Sequence, residues 1–200
     1  MKNILFSIIL ISYINVSGQT SNDYFIKGNI KSNAKDYKGA IEEYTKAIEA
    51  DSTNASAYNN RGICKISLEK WKAAIEDFTK AINLQPKYAE AYNNRGLAKE
   101  QIGKLKSAID DFTKFIELVP KNVTGYCNRG SAKMENQDFD AAMKDFSKAI
   151  EINPKNAKAY CDRGTCKFQM GNHEESCSDW KKAEDMGYKK AGELIINNCN

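Results

Sequence analysis

The sequence predicts an all-α fold in which helical hairpins stack side by side. Three observations lead to this prediction. One pattern recurs every 34 residues between residues 21 and 190, its apolar residues follow the spacing of an amphipathic helix, and prolines fall just beyond the apolar runs. A single hairpin cannot bury both of its apolar faces, so the copies are expected to stack into a solenoid.

The five copies align without an insertion and span residues 21–54, 55–88, 89–122, 123–156 and 157–190. A tyrosine near the start of each copy is followed four residues later by a glycine, at Gly28, Gly62, Gly96, Gly130 and Gly164. Further on, an aromatic residue follows a small one, at Tyr44, Phe78, Phe112, Phe146 and Trp180. We expect the glycines where two helices approach closely and the aromatic rings in the wider gaps.

Each copy is predicted to contain two helices, as the second copy illustrates. The first helix is expected over residues 57–68 and the second over residues 71–84, where apolar residues recur at helical spacing. Pro86 follows the second helix, and Pro120 and Pro154 take the same place in the next two copies. Proline ends a helix there because it lacks the backbone N–H.

These aromatic, glycine, alanine and proline positions resemble those of the tetratricopeptide repeat (TPR) family. The resemblance implies an all-α, right-handed superhelical solenoid of five helix-turn-helix repeats, with a C-terminal capping helix over residues 191–200. It also implies a concave side, lined by the first helices, that binds a peptide or a partner protein. The first and last repeats depart from the pattern, as expected of end copies: Ser52 replaces proline, Ser176 replaces alanine and Tyr188 replaces proline.

The first eighteen residues differ from the repeats and are predicted to be a secretory signal peptide. Lys2 provides a positive charge, residues 4–14 are apolar, and Val16 and Gly18 place small residues at a cleavage site before Gln19. The apolar run is shorter than the ~20 residues that span a bilayer, which disfavours the alternative of a permanent membrane anchor. We therefore expect an exported protein that is secreted, periplasmic or envelope-associated.

Composition and motifs argue against several function classes. The net charge is only +4, with lysine and glutamate well mixed, so a nucleic-acid interface is not expected. No other apolar run approaches membrane length. The chain has one histidine and neither a Cys-x-x-Cys pair nor a glycine-rich phosphate loop. We expect no enzymatic activity and no cofactor.

Two basic columns run along the first helices and could suggest an anion-binding stripe. However, each arginine is followed sixteen residues later by an acid on the second helix, as in Arg129 and Asp145. Residues equidistant from the turn of a hairpin face each other, so these charges are expected to pair. A third basic column lies three residues after each acid, for example at Lys148, and is expected to pair with the same acids. The columns are interpreted as structural because a stacking contact must repeat in every copy.

A binding site should instead break the repeat symmetry on the concave side. The candidates are first-helix residues next to the arginine column: Asn59, Asn60, Ile63, Asn93, Asn94, Leu97 and Asn128. The asparagine column of Asn60, Asn94 and Asn128 can donate and accept hydrogen bonds and could hold a peptide backbone. The alternative is that these asparagines bridge neighbouring helices.

One known binding mode of the family uses lysine, arginine and asparagine side chains to hold the C-terminal carboxylate of a chaperone. Asn29 and Asn60 match the asparagine positions of that site. Phe25, Asn93 and Leu97 occupy the positions of the cations. Recognition of a carboxylate in this way is therefore not expected.

Six cysteines allow fifteen full pairings, and export permits disulfides. Two pairs lie equidistant from turns, Cys166 with Cys177 and Cys177 with Cys199, and they exclude each other because they share Cys177. We expect one of them to tie down the C-terminal cap. A zinc site of Cys161, Cys166, His173 and Cys177 is disfavoured because the first two point apart on one helix.

These observations favour an exported scaffold that binds a protein or peptide on its concave helical face. The alternative is a structural subunit of a larger envelope or secretion assembly without a dedicated peptide groove. A third hypothesis, a thiol-redox role, would require a reactive cysteine with a low pKa.

Overall fold

A computed structural model describes residues 20–199, which form eleven helices and no strand. The first helix, α1, covers residues 20–33. The others are α2 Tyr37–Ala50, α3 Ala55–Ser67, α4 Trp71–Leu84, α5 Ala89–Gln101, α6 Leu105–Leu118, α7 Val123–Glu135, α8 Phe139–Ile152, α9 Ala157–Gln169, α10 His173–Asp185 and α11 Lys189–Asn198. The predicted all-α repeat fold is confirmed, with odd-numbered first helices and even-numbered second helices.

The chain divides into two compact units, one reaching to Ala98 and the other starting at Lys99. In the first unit, α3 contacts both α2 and α4. In the second unit, each helix from α6 to α11 contacts the next one along the chain. The predicted signal segment lies outside the described residues. Among the helices of residues 20–199, none is long and apolar enough to cross a membrane.

Asparagine side chains set the start of several first helices. The Oδ1 atoms of Asn54, Asn122 and Asn156 accept hydrogen bonds of 3.0, 3.2 and 3.1 Å from backbone N–H groups three residues later. These caps satisfy a donor that the helix leaves unpaired. Helix α3 therefore begins at Ala55, two residues before the predicted start, whereas α4 has the predicted bounds.

Aromatic rings of the second helices lie directly against glycines of the first helices. A Cβ atom added to Gly62 would lie 2.6 Å from the Phe78 ring, and one added to Gly130 would lie 2.8 Å from the Phe146 ring. Both rings are fully buried. The glycine column is thus explained by close approach, because any larger side chain would displace a core aromatic residue.

Substituting Gly62 with alanine is expected to destabilise the protein, although alanine is the better helix former. The new methyl group would overpack the Phe78 ring, at a cost of about 1–3 kcal/mol. Gly192→Ala is the matched control, because its Cβ would meet only the carboxylate end of the exposed Glu184. We expect that change to be neutral or to stabilise by about 0.5–1 kcal/mol. Urea unfolding followed by circular dichroism measures both, and equal effects would contradict the close-approach explanation.

The C-terminal helix α11 packs on α10 and is tied to it by a disulfide between Cys177 and Cys199, whose Cα atoms are 5.8 Å apart. Of the two pairings left open by the sequence, the structure contains this one. Cys166 is a free, buried thiol that contacts Ala142 and Phe146 of the preceding repeat. Its side chain points toward α8 rather than across the hairpin, so the mirror-position argument for Cys166 and Cys177 was wrong.

Candidate functional site

The arginine column is engaged inside the fold, as predicted. Arg129 donates from Nε and Nη2 to the two carboxylate oxygens of Asp145, at 3.0 and 2.6 Å. The same bidentate geometry joins Arg61 to Asp77 and Arg163 to Asp179. Hydrogen bonding to Asp179 raises the pKa of Arg163 above its usual value. These cations are therefore not free to form an anion-binding stripe.

Each arginine also links its repeat to the preceding one. The third guanidinium nitrogen, Nη1, donates to a hydroxyl sixteen residues earlier, at Thr45, Thr79, Thr113 or Ser147, over 3.0–3.2 Å. The guanidinium also lies over the tyrosine ring three residues before it, at 5.5–5.8 Å from the ring centroid. The sequence had not revealed the hydroxyl partner, which makes this column a contact between repeats.

The second basic column adds a lysine to each carboxylate. Lys65, Lys99 and Lys133 lie 2.7, 2.7 and 2.8 Å from the aspartates of their own repeats. The third column follows the prediction in the first repeat, where Lys46 pairs with Glu43 at 3.1 Å, and departs from it later in the chain. Lys148 pairs with Glu151 on the exposed surface rather than with the aspartate three residues before it. Asp145 already accepts from Arg129 and Lys133, and Lys148 pairs elsewhere. In the first repeat Lys27 stands at the arginine position, and Glu43 pairs with Lys31 and Lys46 instead.

A chain of side-chain amides crosses the first helices of the first unit. Asn94 of α5 donates to Asn59 of α3 at 3.2 Å, and Asn59 donates to Asn60 at 3.2 Å. Asn60 then donates to Asn29 of α1 at 3.1 Å. Asn60 and Asn94 thus bridge neighbouring helices, the alternative that the sequence left open. We call the surface formed by α1, α3 and α5 in this unit the first-helix face.

The amide chain ends at a pocket of about 350 Å³. Its lining consists of Asn29, Ser32, Asn33, Tyr44, Asn60 and Ile63. The Tyr44 hydroxyl donates to Asn29 at 2.7 Å although the ring is buried in the core. Burial raises the pKa of Tyr44, so its hydroxyl stays neutral and keeps its proton.

The candidate residues fall into different environments. Asn60 and Ile63 line the pocket. Asn59 is only 3% exposed, so its role is to connect Asn94 with Asn60. Three further candidates, Asn93, Leu97 and Asn128, are half-buried.

Sequence reasoning did not single out Tyr44 as a site residue, nor Asn29 beyond its match to the carboxylate-binding pattern. One signal was available. The aromatic column has tyrosine in the first copy and phenylalanine in the next three, so the hydroxyl breaks the repeat symmetry. It was overlooked because that column belongs to the core, and only the structure shows its hydroxyl reaching the first-helix face.

Family models described as "TPR repeat" match residues 22–63 and 65–103. Models described as "Tetratricopeptide repeat" match residues 89–122, 123–156 and 146–177. The chain belongs to the tetratricopeptide repeat family. Among curated proteins, no significant match to this TPR protein was found.

Solved TPR structures resemble the protein over most of its length. A crystal structure of MamA has 29% sequence identity and a TM-score of 0.80, covering 88% of this chain and 96% of MamA. MamA from Desulfovibrio magneticus RS-1, from residue 41 onward, has 16% identity and a TM-score of 0.81, covering 86% and 97%. YrrB, described as a TPR protein with an unusual peptide-binding site, has 24% identity and a TM-score of 0.73, covering 82% and 84%. At 16% and 24% identity, the similarities to the last two structures show that they share this fold.

The free cysteines of this TPR protein lie in environments that suppress thiolate formation. Cys64, Cys161 and Cys166 are buried, and Cys127 is half-buried. Burial raises the pKa of Cys161 to about 11 and that of Cys166 to about 12. A thiol with so high a pKa is a poor nucleophile near neutral pH. Within residues 20–199, no group of three or more His, Cys, Asp or Glu side chains is arranged to hold a metal ion.

Proposed function

We propose that this TPR protein is exported after cleavage near Gly18 and binds a peptide segment of a partner protein on the first-helix face. The TPR fold is a protein-interaction scaffold. The chain of side-chain amides that leads to the pocket is the observation that supports the first-helix face as the binding surface. The bonds between the asparagines use only part of each amide's two N–H groups and two lone pairs, so the remaining groups can match the N–H and C=O groups of a peptide main chain. The pocket also combines these amides with the exposed apolar side chain of Ile63.

The charge distribution supports this choice of surface. The arginines and the lysines of the second basic column are paired with buried aspartates, so an acidic partner would have to compete with these ion pairs. The amide chain, in contrast, ends at an open pocket. Neutral hydrogen-bonding groups beside an apolar side chain are typical of sites that bind peptides through the main chain.

A second candidate function is a structural subunit of a larger envelope or secretion assembly. It is favoured by α1, where Ile26 is 47% and Ile30 is 62% exposed. The residues that occupy the Ile30 position in the next two copies, Cys64 and Ala98, are completely buried. Another subunit covering α1 would bury Ile30 in the same way.

The test uses mature protein from Gln19 to capture partners from the native host, followed by hydrogen exchange of the purified complex. Ile63→Lys changes the pocket, and Ile30→Lys changes the outer side of α1 with the same chemistry. Loss of binding with the Ile63 variant alone, together with new protection around residues 29–33 and 60–67, would support the proposed function. Loss with the Ile30 variant alone would favour the assembly role. Mass spectrometry of the exported protein checks the predicted start at Gln19.

A further inference from the structure

The pocket beside Tyr44 has a lining without any charged side chain. Its six residues are three asparagines, a serine, a tyrosine and an isoleucine. The nearest cation in sequence, Lys31, is paired with Glu43 at 3.3 Å. An ionised ligand entering this pocket would lose hydration without gaining an opposite charge, which is unfavourable. The lining therefore favours a neutral ligand.

The hydrogen bonds that Asn29 already makes leave only one end of its side-chain amide available to a ligand. The Oδ1 atom of Asn29 accepts from the Tyr44 hydroxyl at 2.7 Å and from Asn60 Nδ2 at 3.1 Å. A carbonyl oxygen has two lone pairs, and both are used. In the part of the chain from residue 20 to 199, the Nδ2 group of Asn29 has no acceptor. Asn29 thus offers N–H donors to a ligand.

Asn33 provides the complementary groups. It lies one helical turn after Asn29 on α1, is exposed, and makes no side-chain hydrogen bond to the described residues. Its amide can therefore accept from an N–H group as well as donate. In an extended peptide the C=O and the N–H of one residue point to the same side of the chain, which matches the donor of Asn29 and the acceptor of Asn33.

Only the first repeat combines these features in its sequence. The Tyr44 position holds Phe78, Phe112, Phe146 or Trp180 in the other copies, and the Asn29 position holds Ile63, Leu97, Ser131 or Thr165. The hydroxyl and the amide that it orients are both specific to this copy. The pocket is therefore not a general consequence of stacking the repeats.

We propose that this pocket binds a main-chain amide of an extended peptide, with its carbonyl oxygen on Asn29 Nδ2 and an aliphatic side chain against Ile63, and that it disfavours a terminal carboxylate. Tyr44 is a positioning residue, because its hydroxyl holds Asn29 while its ring is buried in the core. At about 350 Å³ the pocket lies near the lower end of the ~300–1,000 Å³ typical of ligand sites, which suits a short peptide segment. This inference rests on the proposed function.

The experiment titrates acetyl-Ala-Val-Ala-amide and acetyl-Ala-Val-Ala with a free carboxylate into isotope-labelled mature protein. We expect the side-chain amide signals of Asn29 and Asn33 to shift with the first peptide, and the second to bind about tenfold more weakly because its charge is left unpaired. Equal binding would overturn the preference for a neutral group. If neither peptide shifts these signals, the pocket assignment fails.

Tyr44→Phe tests the positioning role without endangering the fold, because three other repeats have phenylalanine in this column. We expect it to weaken binding of the amide peptide about fivefold, because Asn29 is no longer held in place, while the thermal unfolding midpoint falls by no more than about 2–4 °C. Tyr37→Phe, on the same helix but outside the pocket, is the matched control and should leave binding unchanged. Unaltered binding by the Tyr44 variant would overturn the positioning role. If a partner protein is still captured although the pocket assignment fails, the proposed function stands, and the partner contacts another part of the first-helix face.

Discussion

Replacing Asp145 with asparagine is expected to lower the free energy of unfolding by about 3 kcal/mol, as found when a buried ion pair loses one partner. The carboxylate of Asp145 accepts from Arg129 at 2.6 and 3.0 Å and from Lys133 at 2.8 Å. The side chains of Asp145 and Arg129 are only 6% and 17% exposed. Asparagine keeps the shape but leaves two neighbouring cations without a counter-charge.

Glu151→Gln is the matched control for this substitution. Glu151 pairs with Lys148 at 2.6 Å, but its side chain is 68% exposed. Water replaces such a pair easily, so we expect a change below about 0.5 kcal/mol. Urea unfolding followed by far-UV circular dichroism measures both variants. Comparable losses of unfolding free energy would show that burial of the ion pairs around Asp145 does not determine their contribution to stability.

Removing the disulfide with Cys199→Ser is expected to destabilise the C-terminal end by about 3 kcal/mol, because the cross-link closes a loop between residues 22 apart in sequence. Helix α11 buries only Ala191 completely, and Leu194 and Ile195 are half-buried. Its own packing is therefore modest, and the cross-link holds it on α10. Hydrogen exchange should show lost protection in α11 first.

Cys127→Ser serves as the control, because Cys127 is a free, half-buried thiol in the same apolar cluster. We expect its effect to be clearly smaller than that of Cys199→Ser, and α11 should keep its protection. Reducing agent should reproduce the effect of Cys199→Ser on the unmodified protein. If α11 stays protected after reduction, its packing alone holds the cap.

The repeats show how far local patterns can predict this fold. The bounds of α4 were predicted correctly because its apolar residues recur at helical spacing and proline follows its end. The start of α3 was placed two residues late because the Asn54 cap acts before the apolar pattern begins. The arginine-to-aspartate pairs were predictable because hairpin symmetry relates positions equidistant from a turn.

The sequence by itself determined the all-α class, the repeat register and the pairing within each hairpin, since these depend on local periodicity and on a fixed spacing along the chain. Tertiary structure decided the contacts between hairpins, whose partners are set by how neighbouring helices approach. These contacts include the hydroxyls that receive each arginine, the pairing of Cys177 with Cys199, and the reach of the Tyr44 hydroxyl to Asn29. A core column of the sequence thus supplies a polar group to the candidate site, because the ring is buried while its hydroxyl meets the edge of the pocket.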